Sequence, residues 1–211
     1  PATGQVAVSV VVRPAAYRGR NLLAPGSPSA VNRPSVVELT DGGGGVANVE
    51  LDRGGVPYTV EGLVPAIGDD RPGGLTANRL RAAGQVYPTE ITRRYLQVPP
   101  GAIGPEAQAL LERARSSLRV DTPYDLAAAL VEVLHGPDFT YDTDVTDLDC
   151  GNRSIVECFA TFRRGYCQYY ATTMAILLRG AGIPTRLVQG FLPGDRSPSG
   201  IETIRNSAAH A

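Results

Sequence analysis

The first half of the chain alternates short apolar runs with clusters of turn-forming residues. The run at residues 5–13 is rich in Val and alternates apolar and polar positions, as a half-buried strand does. Further short strand candidates are residues 35–39, 46–51 and 58–64. The segments between them, residues 24–28, 41–45 and 68–74, are rich in Gly and Pro and are predicted loops. Short strands separated by such loops predict a β-rich, sandwich-like region.

In the second half of the chain, apolar residues recur at every third or fourth position, which is the spacing of a helix face. Residues 97–104 contain two prolines and two glycines and form the predicted linker. Pro105 opens a predicted helix as a first-turn proline, and Thr122, which precedes another proline, is the predicted N-cap of a second. A third helix is predicted over residues 153–162. The sequence therefore predicts a β-rich first half and a second half that begins with helices.

Composition narrows the possible functions. The 20 basic residues are all Arg, the acidic residues number 21, and the net charge is −1. This balance argues against a nucleic-acid-binding protein with a basic surface. With 43% hydrophobic and 19% charged residues, the chain can form a core, and it has no apolar run of about 18 residues that would span a membrane. Because the chain begins at Pro1 without a leader, we expect a soluble piece of a longer protein with two regions, 1–99 and 100–211.

Cys167 begins a predicted helix and is the first candidate for chemistry. Gly165 precedes it as a turn residue, and residues 185–191 after the helix are a predicted strand. The positive end of the helix dipole favours a thiolate, and the backbone N–H groups there can hold an oxyanion. His210 lies 43 residues later (210 − 167), on a predicted strand after residues 201–205. A Cys–His pair for acyl transfer is one interpretation, and a buried thiol with a structural His is the other.

The residues around Cys167 and His210 carry a family pattern. They are Gly165-Tyr166-Cys167, Tyr170-Ala171, Leu178-Arg179, Gly182-Ile183-Pro184, Arg186, Gly190, Pro193-Gly194 and Ala209-His210-Ala211. Over about residues 141–211 this pattern resembles the transglutaminase-like superfamily, and within it the extracytoplasmic domain of large bacterial membrane proteins. The resemblance implies a papain-like α+β core with Cys167 as nucleophile and His210 as general base. It also implies a thioester formed from a glutamine carboxamide and released by an amine or by water.

The chain departs from the family pattern after the His. In the family an aromatic residue follows, and then a strand with an Asp, sometimes an Asn, that orients the imidazole. This sequence ends one residue past His210. We therefore expect a core that is incomplete at its C-terminus, without the third member of a Cys-His-Asp triad.

The other two cysteines, Cys150 and Cys158, lie eight residues apart. In the extracytoplasmic setting that the resemblance implies, we favour a disulfide between them, which leaves Cys167 as the free thiol. The alternative is a pair of buried thiols.

Further polar and aromatic residues are weaker candidates. Family members take a second oxyanion donor from an upstream side chain, for which Tyr141 is the candidate and a packed aromatic residue the alternative. Gln168 follows the nucleophile on the helix and is predicted to face away from it. His135 ends the second helix, where an imidazolium would suit the dipole, and we predict a structural role. Five aspartates between 138 and 149 lack the EF-hand Gly and Glu, which favours a solvated acidic loop over a calcium site.

The leading hypothesis is an extracytoplasmic transglutaminase-like cysteine acyltransferase from a membrane-anchored parent protein. Its partners would be a protein or peptide with a glutamine donor and an amine acceptor, and neither a cofactor nor a metal is implied. The alternatives are a cysteine peptidase or amidase on the same scaffold, and a non-catalytic binding module. The absence of Lys leaves the N-terminus as the chain's own amine acceptor, although a codon preference for Arg explains it as well.

Overall fold

The computed structural model describes residues 4–39, 46–68 and 73–211, so the glycine run at 41–45 lies outside the described residues. The chain divides into two compact units, Pro1–Ala82 and Ala83–Ala211. The predicted limit between residues 99 and 100, which was drawn from composition, stays a prediction.

The first unit is built from antiparallel strands. They are β1 (Gln5–Val12), β2 (Ser27–Val31), β3 (Ser35–Leu39), β4 (Val46–Leu51) and β5 (Tyr58–Pro65). β5 pairs with both β1 and β2, whereas β3 and β4 form a separate pair. Leu51 of β4 is buried with Tyr58 and Val60 of β5, so the two sheets contribute to one small core.

Two features of residues 1–99 differ from the sequence prediction. β2 begins at Ser27, inside the predicted loop at 24–28, because pairing with β5 provides hydrogen bonds that local propensity does not reveal. Two short helices, α1 (Ala77–Ala82) and α2 (Thr89–Tyr95), follow the strands and were not predicted. They have six and seven residues and no buried residue, and a segment this short does not show the apolar period that marks a helix in a sequence.

The second unit has a helical core. Its longer helices are α3 (Pro105–Ser116), α4 (Pro123–Leu134), α5 (Ile155–Phe162) and α6 (Cys167–Gly180). Two-residue strands lie between the helices, at β6 (Thr140–Tyr141) and β7 (Arg164–Gly165), and after α6, at β8 (Gly190–Phe191), β9 (Asp195–Arg196), β10 (Glu202–Thr203) and β11 (Ala209–His210). Leu130, Phe159 and Leu177, from three different helices, are fully buried in the shared core. None of the helices in the described residues is long and apolar enough for a membrane span.

The predicted starts of α3 and α4 are confirmed. Pro105 occupies the first turn of α3. The Thr122 hydroxyl accepts a hydrogen bond from the Asp125 N–H at 3.1 Å, which caps α4. The third predicted helix begins at Ile155, two residues later than expected, because Ser154 is its N-cap.

The strand predicted over residues 185–191 is wrong except at its end. Only Gly190 and Phe191 of that segment pair as a strand. The Arg179 guanidinium donates to the Thr185 carbonyl at 2.9 Å, and the Thr185 N–H donates to the Tyr95 carbonyl at 3.0 Å. The backbone there bonds to a side chain and to the end of α2, where a strand would bond to a sheet neighbour.

A carboxylate from α5 caps the start of α3. The α3 N-cap is Gly104, which has no capping side chain. The buried Glu157 carboxylate accepts hydrogen bonds from the N–H groups of Glu106 and Ala107, at 3.0 and 2.9 Å. A Cβ on Gly104 would lie 2.4 Å from Cδ of Glu157, so the glycine leaves room for this contact. The two helix N-termini are further joined by the Ser154 hydroxyl, which donates to the Ala102 carbonyl at 2.6 Å.

The predicted disulfide between Cys150 and Cys158 is confirmed, with the two Cα atoms 5.3 Å apart. Cys158 is fully buried on α5, and Cys150 is half-buried in the loop before it. Cys167 is free.

Removing this disulfide is expected to lower the free energy of unfolding by about 2–3 kcal/mol, because it closes a short loop and restricts the unfolded chain. Urea unfolding of the Cys150→Ala/Cys158→Ala variant measures the loss. In the wild-type protein, thiol titration after unfolding without reduction should find one thiol, and titration after reduction should find three. An unfolding midpoint unchanged by a reducing agent would contradict the prediction.

Candidate active site

Cys167 is the first residue of α6, as the sequence predicted. The N-cap residue Tyr166 is extended, with φ −113° and ψ −177°, and its side chain makes no capping hydrogen bond. The N–H groups of Tyr169 and Tyr170 donate to the Tyr166 carbonyl at 2.8 and 3.3 Å. The half-buried thiol therefore lies at a helix N-terminus that no side chain caps, where the dipole favours negative charge.

The segment before Cys167 is fixed by a parallel strand pair. β7 pairs with β6, which sets Tyr141 beside Gly165, and the Asp142 N–H donates to the Gly165 carbonyl at 2.9 Å. A Cβ on Gly165 would lie 2.8 Å from Cβ of Tyr169 and 3.1 Å from a ring carbon of Phe159. Glycine therefore allows the close packing that holds the start of α6.

His210 is placed by an antiparallel pair between β11 and β8. It lies opposite Gly190, and Ala209 lies opposite Phe191. The Leu192 N–H donates to the Ala208 carbonyl at 2.8 Å and extends the pairing. The His210 side chain is half-buried.

Cys167 and His210 line one cavity of about 520 Å³, a size within the usual range for ligand sites. The structure thus brings the two predicted site residues together, while their catalytic roles stay a prediction. His135 ends α4 as its C-cap, the structural position that was predicted, and it also lines this cavity. Sequence analysis missed that second placement, because helix-end chemistry does not indicate which cavity a residue reaches. Gln168 is exposed and is not among the lining residues.

Aromatic rings form one side of the cavity. Tyr141 stacks on Tyr170 with ring centroids 6.0 Å apart, and Tyr170 meets the buried Phe159 edge-on at 4.6 Å. Burial raises the pKa of Tyr170, and the nearby Tyr141 adds to the rise, so Tyr170 stays a neutral phenol. Tyr141 is a packed aromatic residue that still exposes about half of its surface, and its role as an oxyanion donor stays a prediction.

Several carboxylates of the acidic segment beside the site pair with arginines. Asp138 contacts Arg113 at 2.6 Å, and this hydrogen bond holds the Asp138 pKa below its usual value. Arg164 pairs with both Asp142 and Asp147. Within the described ranges no group of three or more His, Cys, Asp or Glu side chains has a metal-binding arrangement. Asp144 and Asp149 of the same segment accept hydrogen bonds from the backbone N–H groups of Thr146 and Gly151.

Comparison with known proteins gives a family match and two curated relatives. Residues 112–211 match the family model of the transglutaminase-like superfamily. The uncharacterized protein YebA from Bacillus subtilis is 30% identical in an alignment of 129 positions, and the match covers 56% of this chain and 16% of YebA. A protein-glutamine gamma-glutamyltransferase from Pseudomonas aeruginosa is 34% identical over 107 residues, 51% of this chain and 15% of that protein. The chain therefore spans about a sixth of the length of these relatives.

A solved structure shares the fold. The crystal structure of the periplasmic domain of TgpA from Pseudomonas aeruginosa superposes with a TM-score of 0.62 and 22% identity. The match covers 98% of this chain and 63% of that one. The match confirms the predicted α+β fold class.

Proposed function

We propose that this chain carries the nucleophile and the general base of a cysteine acyltransferase, on the premise that residues 112–211 match the family model of the transglutaminase-like superfamily. The observation that supports the proposal is the common cavity of Cys167 and His210. A thiol at a helix N-terminus and an imidazole facing the same space are the two groups that thioester chemistry requires.

In the proposed reaction the Cys167 thiolate attacks the carbonyl carbon of a glutamine carboxamide. The His210 imidazolium gives its proton to the leaving nitrogen, and ammonia departs as the C–N bond breaks. An amine or water then attacks the thioester, His210 takes up its proton, and the thiolate is released with a new amide or a glutamate. The backbone N–H of Cys167 would hold the oxyanion, with the Tyr141 hydroxyl as the second donor.

The proposed setting is the extracytoplasmic side of a bacterial membrane, with the parent protein anchored outside this segment. The disulfide between Cys150 and Cys158 supports an oxidising compartment, since disulfides are rare in the cytosol. The solved structure of similar fold is a periplasmic domain.

To test the proposal, the full-length protein is incubated with a peptide that contains one glutamine, and the products are measured. Release of ammonia, together with a thioester adduct on Cys167 in the intact mass, would support acyl transfer from glutamine. A new peptide N-terminus would indicate the peptidase alternative. A Cys167 thiol that reacts with iodoacetamide no faster than free cysteine, without either product, would favour a non-catalytic module.

A further inference from the structure

One arginine side chain contacts three oxygen atoms of the loop that follows β6, at residues 142–147. The Nε atom of Arg164, on β7, lies 3.3 Å from a carboxylate oxygen of Asp142. Its Nη2 donates hydrogen bonds to the Asp144 carbonyl, at 3.4 Å, and to the Asp147 carboxylate. A single guanidinium thus binds the beginning, the middle and the end of this loop.

These contacts are partly shielded from water. Arg164 exposes 29% of its side chain. Its Nε is buried and makes no hydrogen bond with a described residue, so its contact with Asp142 is an ion pair. A guanidinium is always charged in proteins, and its planar donors can bind several oxygens at once. A neutral side chain at this position would leave two carboxylates of the loop without the cation between them.

The loop begins directly after Tyr141, which lines the cavity of Cys167. β6 and β7 pair over only two residues each, and so short a pair has little stability of its own. The Asp142 N–H donates to the Gly165 carbonyl, and the Arg164 side chain holds the Asp142 carboxylate. Arg164 therefore adds a second connection between the strand that carries Tyr141 and the strand that leads to Cys167.

The preceding arginine has different contacts and provides a control. Arg163 lies 3.6 Å from the Asp138 carboxylate, which Arg113 already binds at 2.6 Å. Asp138 would therefore keep a cationic partner without Arg163. Arg163→Gln removes the same charge as Arg164→Gln, one residue away, and leaves the contacts of the loop at residues 142–147 in place.

We propose that Arg164 is a positioning residue for the reaction at Cys167: it holds the loop at residues 142–147 against β7 and thereby keeps the Tyr141 hydroxyl where it can bind the oxyanion. Arg164 is not among the described residues that line the cavity, so its effect on the reaction passes through Tyr141. The inference rests on the proposed function, in which Tyr141 is the second oxyanion donor. It adds a residue outside the cavity on which that donor depends.

A double-mutant cycle in the full-length protein tests whether Arg164 acts through Tyr141. Arg164→Gln should lower kcat for ammonia release from a glutamine peptide by at least about tenfold, because loss of one oxyanion donor costs about 10²–10³-fold. KM should change by less than about twofold, since the donor acts on the transition state. In a Tyr141→Phe background the same substitution should lower kcat by less than about twofold. Arg163→Gln should leave kcat unchanged.

Amide hydrogen exchange separates this inference from the proposed function, because it requires no reaction. The amides of residues 140–148 should exchange at least about tenfold faster in Arg164→Gln than in the wild type, and at the wild-type rate in Arg163→Gln. Asp147→Asn should accelerate the same amides by at least about twofold. Asp147 exposes 66% of its side chain, so this variant keeps the test decisive if Arg164→Gln does not fold.

The outcomes distinguish the two proposals. Faster exchange in the loop variants would support the positioning role even if the wild type released no ammonia, a result that would count against the proposed function alone. Exchange that is unchanged in the loop variants would overturn the inference. An equal loss of kcat from Arg164→Gln with Tyr141 and with Phe at that position would also overturn it.

Discussion

The Cys167→Ser variant of the full-length protein is expected to release ammonia from a glutamine peptide at least about 10³-fold more slowly than the wild type. Serine has nearly the same size, so the packing around the N-terminus of α6 should persist. Its hydroxyl does not ionise near neutral pH, and the helix dipole therefore has no anion to stabilise. Ammonia release under single-turnover conditions measures the effect on the chemical step.

Two further variants separate chemistry from folding. His210→Gln should lose activity to a similar extent, because the substitution removes the general base. Glutamine keeps a polar side chain on β11, so the fold should persist. Gln168→Ala should retain nearly full activity, because Gln168 is exposed and does not line the cavity. If Cys167→Ser kept more than a tenth of the wild-type rate, the nucleophile would lie elsewhere.

Glu157→Ala is expected to lower the free energy of unfolding by about 2–4 kcal/mol. The substitution removes the acceptor of two hydrogen bonds, from the N–H groups of Glu106 and Ala107, at a position without another cap. A buried donor left without its partner costs about 1–3 kcal/mol. Urea unfolding followed by circular dichroism measures the loss.

Two control variants accompany Glu157→Ala: one removes only the charge of Glu157, and the other removes the charge of a different glutamate at the surface. Glu157→Gln should cost less than Glu157→Ala, because the amide oxygen still accepts a hydrogen bond while the charge at the helix N-terminus is lost. Glu112→Gln should change stability little, since the Glu112 carboxylate is exposed and bonds only to the neighbouring Gln108 side chain in the hydrogen bonds described. Equal midpoints for Glu157→Ala and Glu112→Gln would show that the cap contributes nothing measurable.

Helix starts were predictable from the sequence where a local signal determines them. Thr122 and Pro105 act through their own backbone neighbours, so the residue types alone locate the first turns. The cap that Glu157 provides was not predictable. Its spacing from Ser154 fits a capping box, in which it would bond to its own helix, whereas it reaches the start of α3, about fifty residues away in the chain.

The sequence predicted the candidate site residues Cys167 and His210, but it predicted only part of how the residues around the cavity are arranged. The positions of Cys167 before an amphipathic helix and of His210 on a later strand follow from local patterns and the family resemblance. The placement of His135 in the same cavity depends on how α4 packs in the core, which spacing along the chain does not contain. Likewise, the segment at residues 185–189 has the Thr and Val residues that favour a strand, but the Arg179 guanidinium donates to the Thr185 carbonyl.

Three consecutive residues of α5 contact three different parts of the second unit. Glu157 bonds to α3, Cys158 is bonded to Cys150, and Phe159 packs on Tyr170 of α6. A short helix with such anchors makes the unit cooperative, because losing one anchor weakens the other two. In a double-mutant cycle the disulfide and the Glu157 cap should therefore show a coupling energy. A substitution that displaces α5 should also affect the start of α6, where Cys167 lies, through the ring contact between Phe159 and Tyr170.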